Sequence, residues 1–225
     1  MKPLGEEHLA LFRRHMVEIV DMHVDLASEE IGKGALDPRV RTALLRVQRH
    51  LFVPAQLALA AYHDTPLPIG FDKTISQPFI GALMLDLLDI QPGDRVLEVG
   101  TGLGYQAAVM AEMGADVWTV EIVEEFAAEA TMRLRAFGYG DVQVRTGDGS
   151  RGWPDHAPFD KILVTAAAPA PPQALLDQLR PGGLLAMPIG GKEVQQLSLV
   201  EKTLDGRSGV RDVIPVRFTE LETIA

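Results

Sequence analysis

The chain has no cysteine, which excludes disulfides, thiolate zinc sites and a cysteine nucleophile and suits a reducing compartment. Basic residues are scarce: 21 Lys and Arg stand against 31 Asp and Glu, giving a net charge of −10 and a pI near 5.0. Neutralising phosphates needs a clustered cationic excess, so nucleic acid is not an expected partner. Long apolar runs are missing too. The most apolar stretch, Phe79 to Leu88, is interrupted by Asp86 and is too short to cross a bilayer. Met1 to Glu7 has no cationic segment leading into an apolar one, as a secretory signal would. The expectation is a cytoplasmic protein with no membrane association, and nothing indicates an obligate partner. The histidines (8, 15, 23, 50, 63 and 156) include no pair four residues apart, and no metal site is expected. Internal repeats and low-complexity segments are absent.

What is present fits one soluble α/β domain. At 225 residues, 47% hydrophobic and 23% charged, the chain is sized for a single core. We expect one domain over 1–225, with N-terminal helices and a loop in 1–90 and a regular α/β core in 91–225. Leu9, Phe12, Met16, Ile19 and Val20 recur every three or four residues, predicting an amphipathic helix from Glu6 to Leu26. Asp37 and Pro38 read as the N-cap and first residue of a second helix, whose buried stripe is Val40, Ala43, Leu44 and Val47. From Leu51 to Ser76 the punctuation of Pro54, Pro66, Pro68 and Gly70 reads mainly as loop, and loops of that length are often functional. A helical stretch from Pro78 to Leu88 follows.

Beyond it, strand-like runs from Arg95 to Val99, Asp116 to Glu121, Val142 to Arg145, Lys161 to Thr165 and Leu184 to Met187 alternate with helices. Those helices run from Tyr105 to Met113, Glu124 to Phe137 and Gln173 to Leu179, ended by Gly114, Gly138 and Pro181-Gly182-Gly183. Such alternation implies a doubly wound, mostly parallel sheet covered on both faces. At the end, Gln195 to Lys202 and Val210 to Phe218 flank Asp205-Gly206 and predict an antiparallel hairpin.

The first core strand runs straight into Glu98-Val99-Gly100-Thr101-Gly102-Leu103-Gly104-Tyr105, a glycine-rich turn that lets backbone N–H groups approach a ligand closely. Alone, such a turn can be ligand-free. Two neighbours sharpen it. Glu121 ends the second strand about twenty residues on, where an acidic side chain in doubly wound folds takes ribose hydroxyls. Asp148, with Gly149, follows the third strand on the same carboxyl-end rim. A dinucleotide loop spaces its glycines G-x-G-x-x-G and seats a pyrophosphate on a helix N-terminus. Here the order is E-x-G-x-G-x-G, and the Glu98 carboxylate would repel a pyrophosphate.

This pattern resembles motif I of class I S-adenosylmethionine-dependent methyltransferases, whose cofactor carries an ammonium and a sulfonium and no phosphate. A narrower resemblance, to protein-L-isoaspartate O-methyltransferases, rests on Tyr62-His63-Asp64-Thr65-Pro66-Leu67-Pro68-Ile69-Gly70 followed by Thr74-Ile75-Ser76-Gln77-Pro78. Phe159 to Pro169, Leu179-Arg180-Pro181-Gly182-Gly183 and Pro215-Val216-Arg217-Phe218 are similar to the family's later motifs, so the likeness spans about 38–218. It implies a Rossmann-like fold, S-adenosyl-L-methionine as cofactor with S-adenosyl-L-homocysteine as product, and damaged proteins and peptides as substrates. The implied reaction methylates the free carboxylate of L-isoaspartyl residues, giving an ester that cyclises to succinimide. It also implies Ser76 at the catalytic centre and Thr74, Ile75 and Ser76 against a cofactor held by Glu98, Gly100, Thr101, Gly102, Glu121, Asp148 and Gly149. The chain departs from the pattern at Gln48, where the family commonly has proline, and at Thr219-Glu220-Leu221, where it usually continues Val-Pro-Leu. The first 37 residues match only loosely.

Methyl transfer from a sulfonium to a carboxylate brings a cation and an anion together, so positioning and exclusion of water carry the rate. An aspartyl-type carboxylate, with a pKa of about 4, is already ionised at neutral pH, and no general base is needed. The Ser76 hydroxyl can orient that carboxylate, or cap the helix beginning near Pro78, or both. Two other readings stay open on sequence alone: a class I methyltransferase for a small molecule or nucleic acid, and a protein that binds the cofactor without turnover.

Overall fold

The computed structural model describes residues 5–224, and its N-terminal part is helical. Helix α1 (Glu6–Leu26) buries Met16, Val17, Val20 and Val24 on one side. A single turn, α2 (Ser28–Ile31), ends at Gly32. In α3 (Pro38–Arg46) the cap is the expected one: Asp37 accepts the Arg39 N–H at 2.7 Å, with Pro38 in the first turn.

The segment read as loop is more ordered than expected. Short 3₁₀ turns occupy Arg49–Phe52, Ala55–Leu57 and Ala60–Tyr62, and strands β1 (Leu67–Gly70) and β2 (Lys73–Ile75) then form an antiparallel hairpin. Its turn lacks the Asn-Gly or Asp-Gly signal, because Phe71 and Asp72 take the left-handed backbone themselves, at φ 49° and 55°. The pairing is stabilised tertiarily: Ile69 and Ile75 pack on Leu103 and Phe126. Helix α4 (Pro78–Leu88) follows, almost wholly buried. The charge that interrupts its apolar run has a partner, since Asp86 accepts the Asp37 N–H at 2.6 Å and pairs with Lys33 at 2.7 Å. The α3 N-terminus is thereby tied to α4.

The core then alternates β3 (Arg95–Val99), α5 (Tyr105–Glu112), β4 (Asp116–Glu121), α6 (Glu124–Ala136), β5 (Gln143–Thr146), β6 (Phe159–Val164), α7 (Gln173–Gln178), β7 (Leu179–Gly190), β8 (Gln195–Lys202) and β9 (Ser208–Val216). They form one sheet in the order β5-β4-β3-β6-β7-β8-β9, parallel up to β7 and antiparallel across β7-β8-β9. The expected C-terminal hairpin is present as part of a three-stranded meander. One expected boundary is corrected: α7 stops at Gln178, and Pro181-Gly182-Gly183 lie within β7, where the pairing with β6 slips between Phe159 and Lys161. Strand alternation distributes the sheet between two cores. Val96 joins the side covered by α1, α3, α4, α5 and α6, whereas Leu97 and Val99 join the side covered by α7. Strand order reverses between β3 and β6, and right-handed crossovers therefore put the helices before and after that point on opposite faces. No helix among the described residues is long and apolar enough to cross a membrane.

Candidate active site

The reversal at β3 and β6 leaves a crevice beyond the carboxyl ends of β3 and β4, where ligands bind in open α/β sheets. The glycine loop after β3 needs its glycines sterically. Gly100 sits at φ 95°, and a Cβ there would meet Thr165 Oγ1 at 2.4 Å. Gly149 is equally confined, since its Cβ would fall 2.3 Å from Val99 Cγ1. From the end of β4, Glu121 reaches across to the loop. Its Oε2 accepts the Gly102 N–H at 2.8 Å and its Oε1 accepts the Val123 N–H at 3.0 Å. Burial raises its pKa, opposed by those N–H groups.

Glu98 lies on β3 opposite Thr119, fully buried. The Thr119 hydroxyl donates to Glu98 Oε2 at 2.6 Å and so must accept from Thr101, also at 2.6 Å, because a hydroxyl has one proton to give. Burial pushes the Glu98 pKa up to about 8, with Thr119 opposing. Its other oxygen, Oε1, has no partner. That oxygen, the Tyr105 hydroxyl and Gln106 Oε1 are all unpartnered, and their residues share the lining of one small cavity of about 40 Å³ with Ser76 and Thr101. Buried acceptors without donors are costly. A small cationic donor such as a ligand ammonium would satisfy Glu98, so the residues present fit the methionine end of the implied cofactor.

The cavity adjoins a cleft of about 750 Å³, within the range of sites that hold molecules of cofactor size. Gly100, Gly102, Glu121, Ile122, Phe126, Gly149 and Thr165 form its core side; Lys73, Thr74, Ser76, Gln77 and the tail from Pro215 to Glu222 form the other. Thr74, Ser76, Glu98, Gly100, Thr101, Gly102, Glu121 and Gly149 thus come together as expected, with Ile75 at the small cavity. Asp148 stands apart, lining neither space. Its Oδ1 accepts from Ser150 N and Oγ at 2.9 and 2.7 Å, and its Oδ2 accepts the Ile224 N–H at 3.2 Å.

Ser76 is half-buried and borders both spaces. The capping role does not fall to it. The cap position of α4 is Gln77, and the free N–H of Phe79 is taken by Asp64 Oδ1 at 2.8 Å.

Sequence reasoning missed Lys73, Ile122, Phe126, Thr165 and the tail as cleft walls. For the tail a signal existed in the Pro215-Val216-Arg217-Phe218 motif, but its place depends on tertiary contacts. Ala167 donates to Thr219 O at 2.8 Å, Leu221 donates to Ala167 O at 2.7 Å, and Lys73 pairs with Glu222. The departure at Thr219-Glu220-Leu221 therefore lies in the cleft wall itself.

Comparison with known proteins shows the family. Residues 22–223 match the family model of protein-L-isoaspartate(D-aspartate) O-methyltransferase. The chain is 49% identical to protein-L-isoaspartate O-methyltransferase 1 of Polaromonas sp. strain JS666, over 97% of this chain and 93% of the relative. With protein-L-isoaspartate O-methyltransferase 2 of Syntrophobacter fumaroxidans it shares 53% identity, over 93% and 85%. A solved protein-L-isoaspartate O-methyltransferase superposes with a TM-score of 0.79 at 28% identity, covering 92% of this chain and 65% of that one. A Plasmodium falciparum protein, described as a candidate member and bound to S-adenosyl-L-homocysteine, gives 0.73 at 25%, covering 84% and 92%. The chain belongs to the protein-L-isoaspartate(D-aspartate) O-methyltransferase family.

Proposed function

We propose that this chain repairs damaged proteins by methylating the free carboxylate of L-isoaspartyl residues, with Ser76 orienting that carboxylate and Glu98 and Glu121 holding the ammonium and the ribose of the cofactor. The supporting observation is one juxtaposition: the unpartnered Glu98 Oε1 and Ser76 border the same small cavity, and that cavity adjoins the large cleft. S-Adenosylmethionine supplies an electrophilic sulfonium methyl group when bound. Glu98 meets its ammonium, and Glu121, at the far end of β4, meets its ribose. Ser76, between β2 and α4, donates a hydrogen bond to the acceptor carboxylate, which is ionised without help from a base. The hairpin and tail walls exclude water from the reacting pair.

Damaged proteins and peptides are the proposed partners and a cytoplasmic setting the proposed location, supported by the family's substrate and the cysteine-free composition. Methyl transfer from radiolabelled S-adenosylmethionine to an isoaspartyl peptide and to its normal aspartyl twin tests the reading: labelling confined to the former is expected, and equal labelling overturns it. NAD and ATP are expected not to bind at micromolar concentration, because the Gly100-x-Gly102-x-Gly104 loop lacks the G-x-G-x-x-G spacing that seats a pyrophosphate on a helix N-terminus.

A further inference from the structure

Arg49 is among the largest fully buried side chains of the described residues, 1% exposed. Burying a guanidinium is costly unless its N–H groups are met. Both of its side-chain hydrogen bonds go to backbone carbonyls: Nε donates to Ala61 O at 2.8 Å, and Nη2 donates to Ser76 O at 2.7 Å. Its Cζ lies 4.9 Å from the centroid of the Tyr105 ring, and Tyr105 borders the small cavity with Ser76 and Glu98. The next residues of the same turn are held from another direction. Asp64 Oδ2 accepts from Gln77 Nε2 at 2.8 Å while its Oδ1 takes the Phe79 N–H.

We propose that Arg49 is a positioning residue for methyl transfer, with Asp64 as the second hold on the same turn: by gripping the Ser76 carbonyl, Arg49 sets the peptide plane after Ser76 and hence the direction of its hydroxyl. This rests on the assignment of Ser76 made above. The planar guanidinium fork engages two carbonyls at once in fixed directions. A lysine keeps the charge but not that geometry. Simple filling of the core does not require this carbonyl to be one of the two gripped.

The test uses the full chain with Arg49→Lys, Ser76→Ala and the double substitution. Single-turnover methyl transfer to an isoaspartyl peptide is measured at saturating S-adenosylmethionine, with melting temperature and S-adenosylhomocysteine affinity taken on the same preparations. Arg49→Lys is expected to lower the plateau rate about tenfold per folded molecule, with half-saturating peptide concentration and S-adenosylhomocysteine affinity within twofold. The double variant should be no slower than Ser76→Ala alone, because placing an absent hydroxyl has no effect. An unchanged plateau rate in Arg49→Lys overturns the proposal. Losses that multiply in the double variant also overturn it, while leaving the Ser76 assignment standing. Full activity in Ser76→Ala removes that assignment and this inference together, and is read without any Arg49 variant. Should Arg49→Lys fail to fold, Arg49→Gln takes its place in the same cycle: its amide keeps hydrogen-bond donors but loses the fork that grips two carbonyls at once, and the same outcomes decide.

Discussion

Single residues in this cleft combine structural contacts with the ligand roles proposed for them. Glu121 joins the glycine loop to the end of β4 through two backbone N–H groups, so its replacement touches both roles. Glu121→Ala is expected to weaken S-adenosylhomocysteine binding by roughly 1.5–3 kcal/mol, the scale of charge-assisted hydrogen bonds. Calorimetry on the folded variant checks it, and undiminished affinity removes the ribose assignment. For Ser76 the structure separates what composition alone confounds, since the α4 cap is supplied by Asp64. Ser76→Ala should therefore leave the melting temperature within a degree or two, while single-turnover transfer falls about ten- to a hundredfold, as ~1.4–2.7 kcal/mol of positioning is worth. A melting temperature lowered by the ~1 kcal/mol of a lost cap, with the rate intact, contradicts this.

The elements that close the site are those with the weakest sequence signals. The β1–β2 hairpin and the tail after β9 meet over the cleft through Lys73 and Glu222, whose side chains are 21% and 55% exposed. An ion pair so exposed contributes at most about 1 kcal/mol and is screened by salt. Glu222→Gln is accordingly expected to speed S-adenosylhomocysteine release only a few-fold at low ionic strength, with the difference from the parent vanishing near 1 M salt. Stopped-flow release rates at two salt concentrations measure it. A large effect that persists in high salt points instead to a contact of the tail backbone. The meander of β7, β8 and β9 positions that tail, because Leu221 and Thr219 reach the Ala167 backbone only when β9 ends beside β8.

For the whole molecule, the buried Glu98 couples folding to pH. Its pKa is about 8 in the folded chain against an ordinary value of 4.5. The folded state holds that proton more tightly, so as pH rises from about 4.5 to 8 the unfolded state loses it first and stability falls. Asp37 acts in the opposite direction: hydrogen bonding and charge from Arg39 lower its pKa to about 2, so its contribution is lost as pH falls from 3.8 toward 2. Comparing ligand-free parent with Glu98→Gln isolates the first effect. The parent's melting temperature should drop more steeply between pH 5 and 8 than the variant's, and parallel curves show that Glu98 is not protonated as inferred. A ligand ammonium beside Oε1 favours the carboxylate, so S-adenosylhomocysteine binding near pH 7 should release protons in the parent and fewer in Glu98→Gln, as calorimetry in buffers of different ionisation enthalpy reports.

Local information carried most of the architecture. Apolar periodicity in α1, Asp37-Pro38 before α3, and the strand and helix alternation from Arg95 onward are set by neighbouring residues, so the sheet, its helices and the glycine loop were legible, as were Glu98, Gly100, Gly102 and Glu121. The hairpin at Leu67–Ile75 escaped because its turn uses two left-handed non-glycine residues stabilised by packing on Leu103 and Phe126. The extent of β7 escaped because proline and two glycines read locally as a helix stop, whereas pairing with β6 and β8 extends the strand through them. The sequence by itself determined the order of elements and the chemistry of the cofactor loop, since both follow from contacts within a few residues. Only the tertiary structure decided that Asp148 bonds within its own loop and to the tail, that Asp64 caps α4 and that Arg49 grips Ser76. Those partners are brought together by burial across the chain, where an unmet polar group is expensive and spacing in sequence says nothing of which group will meet it.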